Sequence, residues 1–315
     1  MSSSSAALEI SGLVKDFGPV SSLDGRKIRV LNGVDISARK GSVTALLGAN
    51  GAGKTTTLEC AQGLQRPDGG VIRLLGEDPW HAGAHLRSRV GVMLQEGGLP
   101  PSSRPLPLLR HVAGMYGNPR DLDGLVTRLG IDAFASTGIR RLSGGQKQRL
   151  ALACALVGNP EVVFLDEPSA GLDPQSRSIV FDLIGELREE GLAIILTTHL
   201  LDDAQKLADY VYIMEAGHTV AQGTVAELTA HDDGGFREIR FEAPQQLVLP
   251  ETLFGHLLAV ELKPGRYSIS GNLTPNDLAV LARWWADCEI LPTSITMTSR
   301  SLEDVFLDIS GRNAR

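Results

Sequence analysis

An α/β fold built on a mostly parallel sheet, followed by a small α+β domain, is what this sequence predicts. Short apolar runs at 43–47, 162–165 and 193–197 read as buried strands, and segments of helical periodicity separate them. "YVYIMEAGHTVAQGT", residues 210–224, is strand-like on both sides of Ala216-Gly217-His218 and reads as an antiparallel hairpin. Beyond the polar, glycine-containing "TAHDDGGFRE", residues 229–238, the pattern changes to short strands and amphipathic helices. The first domain is therefore expected over 1–230 and a small accessory domain over 236–315.

The elements follow in chain order. "SVTALL" is a buried strand that runs into "GANGAGKTT", residues 48–56, where a helix opens. "VGVMLQ" is a weaker strand ending at Gln95. From Gln95 to Arg141 the periodicity is helical, interrupted by "GGLPPSSRPLP", whose prolines and serines mark a flexible connection into a helical subdomain at about 96–160. A helix then starts near Ser143: Leu150, Ala153, Cys154 and Val157 form its apolar face, Ser143 with Gln146 fits a capping box, and Gly158 and Pro160 stop it. In the tail, "REIRFEA", "LLAVELK", "RYSISG" and "SITMTS" are strand-like, while "PNDLAVLARWWADC" and "SLEDVFLDIS" are helix-like. Trp284 and Trp285 are expected in core or interface packing.

Composition narrows the function classes. The chain has 315 residues, 43% hydrophobic and 21% charged, which is ordinary for a folded protein with a sizeable core. A net charge of -7 speaks against a surface built to bind nucleic acid. Cys60, Cys154 and Cys288 are scattered without metal-ligand spacing, so reduced core thiols in a reducing compartment are expected. "MSSSSAALEI" lacks the pattern of a secretory leader, and no apolar run approaches the roughly 18 residues that span a bilayer. The chain is expected neither to cross a membrane nor to be exported by itself.

The chemistry sits in a few short motifs. "GANGAGKTT" matches G-x-x-x-x-G-K-[ST] between a strand and a helix, the context that makes the pattern specific. Its glycines let backbone N–H groups converge on phosphate oxygens at a helix N-terminus; Lys54 would reach the β and γ phosphates and Thr55 would offer its hydroxyl to magnesium. "VVFLDEP" ends a strand in two adjacent carboxylates that can divide labour: Asp166 would hold magnesium, directly or through water, and Glu167 would polarise the attacking water. "LAIILTTH" brings His199 to the same sheet edge, in reach of a γ phosphate, and Gln95 would sense magnesium and water there. At the start of the helix that begins near Ser143, Ser143, Gly144 and Gly145 leave the first turn bare, at a cost near 1 kcal/mol per glycine, and would make a second anion site.

Together these segments resemble the ATP-binding subunit of ABC transporters over nearly the whole chain. "GANGAGKTT" (Gly48, Asn50, Gly51, Ala52, Gly53, Lys54, Thr55, Thr56) is similar to the Walker A motif, and Gln95 to the Q-loop. "LSGGQ" (Ser143, Gly144, Gly145 and Gln146 after Leu142) resembles the family signature, "VVFLDEP" the Walker B motif with its catalytic glutamate, "SAGLD" with Asp173 the D-loop, and His199 the H-loop. Phe17 is similar to the aromatic that stacks on adenine, although "VSSLDGRKIRV" lengthens the stretch before the phosphate loop. The tail "SLEDVFLDISGR" resembles ABC-2-type exporters of the antibiotic and multidrug group.

The resemblance implies a P-loop ATPase core with an antiparallel β subdomain, a helical signature subdomain, and active hydrolysis with ATP and Mg2+ as ligands. It implies head-to-tail pairing with a second copy, each signature completing the other's nucleotide pocket, and an ABC-2-type permease at the cytoplasmic face of the membrane. Drug efflux is the expected role, with lipid, polysaccharide or haem-related cargo as the alternative. A DNA-maintenance ABC protein would need a long coiled-coil insertion, but only 88 residues separate Lys54 from Ser143. A ribosome-associated one usually has tandem cassettes and basic linkers, and the tail disfavours an importer.

Overall fold

The computed structural model describes residues 6–20, 26–93, 98–230, 237–243, 247, 257–299 and 301–312. The chain divides into two compact units, Met1–Thr224 and Val225–Arg315.

In the first unit, β1 (Ala6–Val20) and β2 (Arg26–Arg39) pair antiparallel. Val34, Ile36 and Ala38 are buried with exposed residues between them, the period of two that gives a strand one wet and one dry face. After β3 (Ser42–Leu47) and α1 (Lys54–Ala61), β4 (Gly69–Leu74) returns to the other side of β1, giving a three-stranded antiparallel sheet.

β3 itself belongs to a six-stranded sheet with β5 (Val90–Met93), β6 (Val162–Asp166), β7 (Ala193–Thr198), β8 (Tyr210–Glu215) and β9 (His218–Gly223). Its order is β5-β6-β7-β3-β8-β9, parallel except for β9. The turn between β8 and β9 has Ala216 at φ 46° and Gly217 at φ 80°, the two left-handed residues that a tight hairpin requires. β6 is buried throughout, as a parallel strand covered on both faces must be. On one face, Leu46, Phe164, Ile195 and Met214 share a core with Leu58 and Ala61 of α1 and with Leu8, Val34 and Ile72 of the antiparallel sheet. α1 thus packs between the two sheets.

The helices of this unit are α2 (Ala84–Arg87), α3 (Pro105–Ala113), α4 (Leu122–Arg128), α5 (Gly144–Leu156), α6 (Pro174–Glu189) and α7 (Leu201–Leu207). The proline-rich run read as a connection ends inside a helix: Pro105 opens α3, where its missing N–H lacks a helical partner in any case. Cys60 and Cys154 are free thiols whose pKa burial pushes up to about 11 and about 12, and Cys288 is free as well.

The second unit contains α8 (Val225–Thr229), β10 (Arg237–Glu242), β11 (Leu258–Lys263), β12 (Arg266–Gly271), α9 (Pro275–Asp287), β13 (Ser294–Ser299) and α10 (Leu302–Arg312). Its antiparallel sheet has the order β11-β12-β10-β13. Thr274 and Asp277 form a capping box at the start of α9. The core joins Ile239, Phe241, Tyr267 and Ile269 to Leu281, with Trp284 and Trp285 packed against it. Phe241 stacks on Tyr267 and meets Trp285 edge-on, both at 5.1 Å between centroids. Among the described residues no helix is long and apolar enough to cross a membrane.

Candidate functional site

Three adjacent strand ends build the site. β6, β7 and β3 run side by side, with Asp166 opposite Thr197 and Leu47 opposite Thr198, so the residues after each strand emerge at one edge. After β3 the chain turns sharply against β8: a Cβ on Gly48 would lie 2.4 Å from the Met214 backbone oxygen. Gly51 sits at φ 84°, in the left-handed region. Gly53 caps α1 without a side-chain hydrogen bond, and the first turn carries no acid. The first N–H groups of α1 and its positive dipole end are therefore left to an anion.

Lys54 is 7% exposed, and its ammonium donates to Gly48 O at 2.8 Å and Ala49 O at 3.2 Å. Burial pushes its pKa down, against the opposing pull of Glu167 and Asp166. A cavity of about 150 Å³ lies over the loop, lined by Val30, Asn50, Gly51, Gly53, Lys54, Thr55, Thr56 and Glu167.

The acid pair is held by its neighbours. Asp166 Oδ1 accepts from the Thr197 hydroxyl, and Oδ2 lies 3.4 Å from Thr55 Oγ1. Glu167 has φ 52°, which costs a non-glycine residue about 1–2 kcal/mol. Four hydrogen bonds clamp its backbone: its N–H donates to Thr197 O and Oγ1, both at 3.2 Å, and its carbonyl accepts from Gln148 Nε2 at 2.5 Å and Ala170 N at 3.2 Å. Its Oε1 lies 2.9 Å from His199 Nδ1, while Oε2 is buried without a partner among the described residues. The His199 side chain is 48% exposed, so the pair reaches from the interior to the surface. A buried carboxylate oxygen with a free lone pair, beside an ammonium and a bare helix end, can accept a proton from a water attacking a bound phosphate.

The signature residues are not among those lining this cavity. Ser143 caps α5 as expected: Gln146 N donates to Ser143 Oγ at 3.2 Å and Ser143 N donates to Gln146 Oε1 at 3.0 Å. Ser143 and Gly144 are exposed, and a Cβ on Gly144 would meet nothing within 4 Å. Asp173 caps α6, its carboxylate accepting from Ser176 N at 2.9 Å and Ser176 Oγ at 2.7 Å. Phe17 stands on β1 opposite Ile28, 36% exposed with Lys15 Nζ 5.3 Å from its ring, and does not line the cavity. Ala52 is buried in the core beneath the loop. Gln95 lies outside the described residues.

Three contributors escaped sequence reasoning. Thr197 bonds both carboxylate-bearing residues, and its signal was the polar end of an otherwise apolar strand. Gln148 reaches Glu167 from α5, and Val30 lines the cavity from β2; neither carries a local signal, because both are brought in by packing.

Residues 31–170 match the ABC transporter family. Over nearly the whole chain the sequence is similar to the Nod factor export ATP-binding protein I of Ralstonia nicotianae, 33% identical over 94% of this chain and 95% of the relative. It is also similar to the daunorubicin resistance ATP-binding protein DrrA3 of Streptomyces coeruleorubidus, 32% identical over 98% and 97%. Among solved structures, an ATP-binding subunit of an ABC transporter superposes with a TM-score of 0.63 at 28% identity, covering 70% of this chain and 91% of its own. A dimeric bacterial ABC transporter cassette matches with a TM-score of 0.62 over 69% of this chain and 98% of its own; at 21% identity it speaks for the fold alone. The chain therefore belongs to the ABC transporter family, as one of its ATP-binding, ATP-hydrolysing subunits.

Proposed function

We propose that two copies of this chain close head to tail around ATP and drive a separate ABC-2-type permease, with drug efflux as the transported process. The observation that carries the catalytic part is Glu167, which lines the cavity together with Lys54 and whose buried Oε2 has no partner among the described residues. Glu167 is the general base, and His199, 2.9 Å from its other oxygen, orients it and contacts the γ phosphate. Lys54 trades its carbonyl partners for β and γ phosphate oxygens, and the N–H groups of 48–56 cradle the chain of phosphates. Thr55 and Asp166 supply hard oxygen donors 3.4 Å apart, a pair that would hold Mg2+. Mg2+, when bound, offsets charge on the phosphate oxygens during transfer. Gln95 belongs to this set, and Phe17 stacks on adenine, by the family resemblance.

The exposure of Ser143 and Gly144, and the open space beside Gly144, support a role for Ser143, Gly144, Gly145 and Gln146 against the phosphates of the partner copy, with Asp173 at the same junction. The cassette is read as 1–230 and the accessory domain as 236–315. The subunit works at the cytoplasmic face of the membrane, held there by the permease. Relatives named for daunorubicin resistance and for Nod factor export support an export role and leave two cargo classes to compare.

Glu167→Gln tests the centre of this reading. Turnover should fall by a factor of about 10²–10⁴ while ATP binding survives; a normal rate would overturn the assignment. For cargo, compounds of the daunorubicin type should stimulate ATP hydrolysis by the chain joined to its permease.

A further inference from the structure

We propose that Gln148 is a positioning residue: from α5 it holds the Glu167 backbone in its left-handed turn, so that the seating of the signature helix aims the general base of the same chain. The Glu167 carbonyl needs a holder, because φ 52° is a conformation that this residue type avoids. Its N–H side is secured within the sheet by Thr197 O and Oγ1. Its carbonyl side depends on Ala170 N at 3.2 Å, within the same turn, and on Gln148 Nε2 at 2.5 Å, from a separate helix. Gln148 is thus the donor from outside the segment it restrains.

The next residue ties the same helix the other way. Arg149 Nη1 donates to Leu129 O at 2.8 Å, and its guanidinium lies 5.2 Å from the Phe134 ring centroid. A shift of the 122–134 segment is therefore passed to α5, and through Gln148 to Glu167. A neutral amide suits this position, because it donates a hydrogen bond without adding charge beside the Glu167 carboxylate and Lys54. Ser143 caps α5, so a ligand on the signature end and the aim of Glu167 are linked within one chain. The inference rests on Glu167 acting as the general base.

The test uses the full-length chain with Gln148→Met, which keeps the length and removes the donor, and Gln148→His, which restores a neutral N–H. In steady-state ATP hydrolysis, Gln148→Met should lower kcat about three- to tenfold, the worth of one hydrogen bond, with KM for ATP held within about twofold. Gln148→His should recover part of the loss. In a Glu167→Gln background, Gln148→Met should cost less than about twofold more, because the group it aims is gone. An unchanged kcat, a loss confined to KM, no recovery by histidine, or the same loss in both backgrounds would each overturn the proposal. Amide hydrogen exchange across 167–170 provides the separate readout. Should Glu167→Gln alone keep full activity, the general-base reading fails, and unaccelerated exchange in Gln148→Met would then sink the tether itself.

Discussion

Replacing Gly48 by alanine pits one methyl group against the backbone of a neighbouring strand. The new Cβ would stand 2.4 Å from Met214 O and 2.9 Å from the Ala52 Cβ, so the loop must retreat by about 1 Å to reach ordinary contact. Met214 cannot yield cheaply, because β8 is locked to β3 with Leu47 opposite Ile213. Overpacking of this kind costs about 1–3 kcal/mol. In a unit of this size that lowers Tm by about 2–12 °C. Displacing the phosphate loop by about 1 Å relative to Glu167 should also reduce turnover by up to about 10²-fold. Gly185→Ala is the matched control: in the middle of α6 its Cβ would meet nothing within 4 Å, so it should stabilise by about 0.5–1 kcal/mol. Scanning calorimetry and steady-state ATP hydrolysis on both variants read the contrast. A Gly48→Ala chain as stable and as active as the parent would refute the close-packing argument.

Three further outcomes are expected. Ser143→Arg should leave nucleotide binding by the single chain nearly intact, cost about 1 kcal/mol as a lost cap, and abolish ATP-driven dimerisation measured by light scattering; a dimer that still forms would contradict the signature's role. Arg89 and Lys40 hold the Glu161 carboxyl at about 2, so its stabilisation is present above the ordinary carboxylate value and lost as pH falls through about 2. Denaturant midpoints of Glu161→Gln should accordingly lie below the parent's near neutrality and converge with them in acid, the gap being modest because the pair is solvated. Phe241→Ala, which empties the ring cluster with Tyr267 and Trp285, should destabilise the second unit by about 3–5 kcal/mol. Tryptophan fluorescence follows this directly, since Trp284 and Trp285 sit on that core.

The buried strands were legible because covering on both faces leaves only apolar residues: β6 and β7 are entirely buried, and their runs stand out. The capping box at Ser143 was legible because it needs only residues three apart. The start of α3 was hidden by its prolines, which signal a loop and a first helical turn equally. The role of Gln148 was hidden more deeply, because nothing within α5 foretells that its amide meets a carbonyl 19 residues later.

The glycine-rich loop before α1, the carboxylates at strand ends and the glycine-rich helix start after Ser143 are written in local sequence, because backbone freedom, dipoles and side-chain type act over a few residues. Only the tertiary structure decided that these ends meet. The parallel register sets Asp166 opposite Thr197, the crowding at Met214 makes Gly48 obligatory, and packing buries Glu167 Oε2 without a partner among the described residues. Those are consequences of packing between distant segments, where a side chain's reactivity is set by what surrounds it rather than by what precedes it.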